Sequence, residues 1–163
     1  MIELSDPSVP SSRQPYHAVM GASPPNASQL ERRLRNVVQQ VTRKSVRELL
    51  RGYRAGGHRV RAAALVVGSD IDPARIANDH IRAHALVGRL FRTVLEAAVA
   101  SGGLRCAVVV EREAYALAAG VLARTEPELR RAVADLGRSH RGPWRAEEKT
   151  AALAAWMLLR RGR

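Results

Sequence analysis

Twice along this chain an amphipathic segment ends in two glycines and an apolar, β-branched run follows. Gly56-Gly57 precedes the first run, residues 60–67, and Gly102-Gly103 precedes the second, residues 104–110. A continuous apolar run of this length, closed by turn residues, predicts a strand buried on both faces. The segments before the glycines predict helices. In the first, which opens at Asn26 or Ser28, the positions Leu30, Leu34, Val37, Val38, Val41, Leu49, Leu50 and Tyr53 follow i, i+3, i+4 spacing. The second covers residues 80–100. Helix and strand therefore alternate, and strands separated by a helix are expected to lie parallel, joined by a crossover. The fold class this predicts is α/β, a short parallel sheet with flanking helices. Two strands fall short of the ~4–6 in an ordinary sheet. A second copy of the chain, another partner, or a segment this chain lacks is therefore expected to complete it.

The rest of the chain divides by composition. Residues 1–27 hold Pro7, Pro10, Pro15, Pro24 and Pro25 among many serines, which predicts a disordered Pro/Ser-rich tail with a short extended piece at residues 16–20. Residues 28–163 then form a single α/β domain. Local punctuation sits where helices should start and stop. Asp72 before Pro73 and Asn78 before Asp79 have the chemistry of helix caps. Thr125 with Glu128 three residues later predicts a capping box for a helix stopped by Gly137, and a last helix is expected over residues 144–160. One cysteine, Cys106, excludes a disulfide framework and is expected as a small buried residue of the second strand. No apolar run approaches the ~20 residues of a membrane span, and residues 1–12 lack a secretory signal. A cytoplasmic protein with no membrane partner is expected.

Charge bounds the partner more tightly than the reaction. The chain carries 27 Lys or Arg against 15 Asp or Glu, a net of +12, and all but Lys44 and Lys149 of the bases are arginines. Residues 28–61 hold ten bases against Glu31 and Glu48, a net of +8. Guanidinium forks pair with phosphate oxygens, and such a concentration favours a polyanion through counterion release. Arg32, Arg35, Arg43, Lys44, Arg47, Arg51 and Arg54 on the first long helix are the candidate nucleic-acid-binding residues. Aromatics make up only 4% of the chain, too few for base-stacking platforms. Contact with a duplex or junction backbone is expected, with DNA preferred over RNA.

Enzyme signatures are sparse: no phosphate-binding GxxxxGK[ST], no GxSxG, no GxGxxG after a strand and no HExxH occurs. His80 and His84 stand one helical turn apart, at metal-ligand spacing, but no third ligand lies near them in sequence and they are read as helix-face residues. Carboxylates gather where the two strands end, at Asp70, Asp72, Glu111 and Glu113, and at Glu147 and Glu148 in the first turn of the last helix. Ligands of open α/β sheets collect at such an edge, and a few carboxylates there can hold Mg²⁺. The candidate metal ligands are Asp70, Asp72 and Glu111, and the candidate catalytic residues Asp70, Glu111, Glu147 and Glu148. Glu111 and Glu113 also read as solvated charges, and Glu147 and Glu148 as partners of a helix dipole.

The strand at residues 62–69, the segment HIRAHALVG at 80–88, the strand at 105–111, and the Ala-rich stretch TAALAA at 150–155 follow an order. That order resembles the C-terminal two thirds of a ribonuclease H-like domain, particularly the RuvC-type Holliday-junction resolvases. The resemblance implies Mg²⁺ ions held by carboxylates that activate water to cut a phosphodiester, with Asp70 the nearest candidate on the first strand and Glu147 and Glu148 on the last helix. It implies too that Gly88 allows close helix packing. The family's first strand meander, with its catalytic Asp, has no counterpart here. The expected function is therefore nucleic-acid binding by a catalytically degenerate relative. The alternatives are a Mg²⁺-dependent nuclease completed by a partner or dimer, and a protein-interaction subunit that binds no nucleic acid.

Overall fold

The computed structural model describes residues 2–139 and 141–161, the side chain of Arg161 excepted. The chain is mostly helical around one small parallel sheet. It runs through α1 (Pro15–Val19), α2 (Pro24–Ala55), β1 (Ala62–Val67), α3 (Asp79–Ser101), β2 (Arg105–Val110), α4 (Ala114–Leu122), α5 (Glu126–Gly137) and α6 (Ala146–Arg161). The chain forms two compact units whose segments alternate along the sequence. Residues 1–60 and 71–104 make the first, and residues 61–70 and 105–163 the second.

The first unit is helical. Every fourth residue of α2 is buried, from Leu34 through Val38, Thr42 and Val46 to Leu50. Such an i, i+4 row forms the ridge that a neighbouring helix packs against. Val38 meets Leu90 and Val94 of α3, with Tyr16 and Phe91 closing the cluster. Leu49 and Tyr53, expected on the core face, are 42% and 48% exposed. The segment expected to be a disordered tail carries a single 3₁₀ turn, Pro10–Arg13, and the helix α1, with Ser12 and Pro15 buried. Helix α1 packs against both α2 and α3. Pro10, Pro15 and Pro24 each begin a helical element, where the fixed φ of proline suits the first turn and its missing N–H costs nothing. The extended piece expected at residues 16–20 is thus helical as far as Val19. Asn78 caps α3 by accepting from the Ile81 N–H at 3.0 Å. Gly88 has nothing within 4 Å of where a Cβ would stand, so the close packing expected there is not made.

In the second unit β1 and β2 pair in parallel, in register from Ala62 opposite Arg105 to Val67 opposite Val110. All of β1 is half-buried, and of β2 only Val109 is buried, so neither strand is covered on both faces. The core lies between α4, α5 and α6, where Ala114, Ala118, Leu122, Leu129, Val133, Leu153, Ala154 and Met157 join Val109. Cys106 is half-buried. The second glycine of each pair, Gly57 and Gly103, has φ near +79° and +78°. This left-handed turn ends the preceding helix and is open to glycine at little cost. It is the physical basis of the repeated helix, double glycine, strand pattern. No helix among the described residues is long and apolar enough to cross a membrane.

Candidate nucleic-acid interface and a histidine cluster

Helix α2 spans 32 residues and presents its cations on its outer side. At 3.6 residues per turn, Arg32, Arg33, Arg43, Lys44, Arg47, Arg51 and Arg54 share an arc of roughly 120°. Glu31 and Glu48 fall outside it. All seven cations are exposed, and among the described residues none is ion-paired with a carboxylate. From Arg32 to Arg54 the row covers about 33 Å at 1.5 Å per residue, close to one turn of a B-form duplex at ~34 Å. Two residues change places relative to expectation. Arg35 lies off the arc and is tied to Glu31 at 3.3 Å, lining with Arg32, Asn36 and Leu90 a hollow of about 460 Å³. Arg33, not among the candidates, joins the arc because its register matches that of Arg51.

The carboxylates are dispersed by comparison. Asp72 caps the 3₁₀ turn at Pro73–Arg75 through the Ala74 N–H, and its Oδ1 lies 3.6 Å from Arg89. In the second unit Asp70 and Glu111 are exposed. Glu111 lines a groove of about 460 Å³ with Arg112, Tyr115, Glu126 and Arg130, closed on the α6 side by Ala146, Lys149 and Thr150. The groove sets three cations, Arg112, Arg130 and Lys149, against two carboxylates: Arg130 reaches Glu126 at 3.3 Å and its guanidinium stands 3.9 Å from the centre of the Tyr115 ring. Glu148 accepts the Arg145 N–H at 2.8 Å and so serves the start of α6, while Glu147 is exposed and outside the groove. Among the described residues of this unit, no three carboxylates come close enough to hold one ion.

The grouping of metal-ligating side chains that does form lies in the first unit. His80 and His84 on α3 face His17 of α1, and one ligand atom from each of the three lies within 4.8 Å of the others. The Nε2 atoms of His80 and His84 are 3.2 Å apart. The His17 ring is centred 4.2 Å from that of His84 and 5.0 Å from that of His80. Both ring nitrogens of His17 are buried and, among the described residues, without a hydrogen-bond partner. That burial, and then the charges of His84 and His80, hold the His17 imidazole below its ordinary value. Sequence reasoning lacked this third ligand because it stands in the Pro/Ser-rich segment, 63 residues before His80. Only the helical fold of that segment brings it to α3.

No family model matches the chain, and no curated protein or solved structure matches it either.

Proposed function

We propose that the chain binds the phosphate backbone of duplex or branched DNA through the outer face of α2. The observation that carries this reading is the row of seven exposed cations, free of carboxylate partners among the described residues, along about one duplex turn. Unpaired guanidinium groups on a rigid helix keep their forks available for phosphate oxygens. Each phosphate neutralised releases counterions to solution, which supplies affinity without reading sequence. With few aromatic residues to stack bases, the contact is to backbone. The reading is of binding without cleavage, as a degenerate relative of the RuvC-type resolvases would behave. Among the described residues no three of Asp70, Glu111, Glu147 and Glu148 gather on one point, which supports that choice, since the resemblance implies ions held by several carboxylates.

The test is fluorescence anisotropy of labelled linear and four-way duplex DNA across a salt series. Six phosphate contacts would give a slope of log K against log salt of about −5, and the triple variant Arg43→Ala, Arg47→Ala, Arg51→Ala would lower its magnitude by about 3. Affinity that ignores salt, or a triple variant that binds as the parent does, overturns the proposal. Mg²⁺-dependent cutting of the junction, lost in Asp70→Asn, would replace it with the nuclease reading.

A further inference from the structure

We propose that His17, His80 and His84 form a binding site for a divalent transition metal, Zn²⁺ foremost, which clamps α1 onto α3. Four residues apart on one helix, His80 and His84 project from the same face. Their Nε2 atoms are 3.2 Å apart. In a tetrahedral site with Zn–N bonds of about 2.0–2.1 Å, two ligand nitrogens stand about 3.3 Å from each other. The pair on α3 is thus already spaced as one edge of that tetrahedron. His17 approaches the same edge from α1, within 4.8 Å by its nearer ligand atom.

The state of His17 supplies an independent observation. A buried polar atom is nearly always satisfied, and an orphaned one calls for a missing partner. Both nitrogens of His17 are orphaned among the described residues, and a metal on one of them is the partner the geometry supports.

The donor set selects the ion. Three imidazole nitrogens, with neither thiolate nor carboxylate in the group, suit Zn²⁺, Cu²⁺, Ni²⁺ or Co²⁺, whereas Mg²⁺ and Ca²⁺ take oxygen ligands. This is not the Mg²⁺ expected at the strand ends. His80 and His84 are exposed, so a water can complete the coordination from the solvent side. An ion held there ties two helices together. It joins a five-residue helix to a long one across 63 residues of chain. None of the α2 cations belongs to it, so it stands whether or not the chain binds DNA.

The experiment is calorimetric titration of the full chain, stripped with chelator, with Zn²⁺ alone. One ion per chain and a raised thermal midpoint are expected, with no rise on adding Mg²⁺. Co²⁺ should give the visible absorption of a low-coordinate site. His17→Phe keeps a ring in the packing and removes the ligand, and His84→Ala removes one of the α3 pair. Each is expected to cost no less than the ~10–100-fold that follows loss of a supporting group around a metal. His58→Ala, outside the cluster, should bind as the parent does. If His17→Phe does not fold, His80→Gln gives the same measurement on an exposed position. Absence of one-to-one binding, or a folded ligand variant that binds Zn²⁺ as tightly as the parent, overturns the proposal.

Discussion

A methyl group on Gly137 would stand 2.1 Å from Trp144 Cδ1 and 2.4 Å from its Nε1. No carbon approaches another atom so closely, so one of the two must move. The indole is the less free, because its Nε1–H donates to the Val133 carbonyl at 2.9 Å and its ring packs on the core of the second unit. Gly137→Ala is therefore expected to destabilise the fold by about 1–3 kcal/mol, the usual cost of overpacking, with a shift in tryptophan emission as the indole is displaced. Urea unfolding followed by fluorescence measures both. An unchanged midpoint would mean that α5 ends elsewhere than at the close approach described. Two residues stand outside what sequence patterning marks. Thr42, absent from the apolar positions named for the first long helix, is fully buried, its hydroxyl unpartnered among the described residues. His17 carries no local mark of a ligand, because the signal is spatial: three rings from two helices far apart in sequence.

Helix α5 shows how far a local motif fixes an element. The Glu128 carboxylate accepts the Thr125 N–H at 2.7 Å and the Thr125 hydroxyl at 2.8 Å. Those two bonds hold Glu128 below its ordinary value of 4.5. A carboxyl depressed in the folded state contributes stability that is fully present above its unfolded value and is lost as pH falls through the folded one. Wild type should therefore melt above Glu128→Ala at pH 7, and the gap should close as pH falls below about 4.5. Scanning calorimetry over pH 2.5–7 checks this, and a gap that persists at the acid end would remove the capping box from the explanation. Caps and terminators of this kind were readable in the sequence because their chemistry lies within four residues: Asn78 at α3, Thr125 at α5, and the two double glycines. The start of the chain was not. Its prolines look alike in a disordered segment and at the first position of short helices, and burial of Ser12 and Pro15 against distant residues decides between the two. The α2 face was readable in outline from charge. Its membership, Arg33 in and Arg35 out, needed the register of the buried row.

At the scale of the whole molecule the question is whether +12 acts as a diffuse property or through one surface. A chain with this excess is drawn to any polyanion by its summed field, and that attraction is screened over about 8–10 Å at physiological salt. A row of unpaired arginines on one helix does something the summed field does not. It places several cations against successive phosphates at once, and each contact adds its own increment to the salt slope. Two variants of equal net charge separate the cases. One removes Arg43, Arg47 and Arg51 from α2, all exposed and, among the described residues, without a carboxylate partner. The other removes Arg112, Arg131 and Arg145 from the second unit, also exposed. Each carries three fewer positive charges, so a diffuse attraction weakens equally in both. If α2 is the binding face, the first loses about 3 from the magnitude of the slope and the second less than about 1. Parallel anisotropy titrations on one labelled duplex decide the matter. Equal losses would return the charge to a property of the whole chain, and a larger loss in the second variant would move the interface to the second unit.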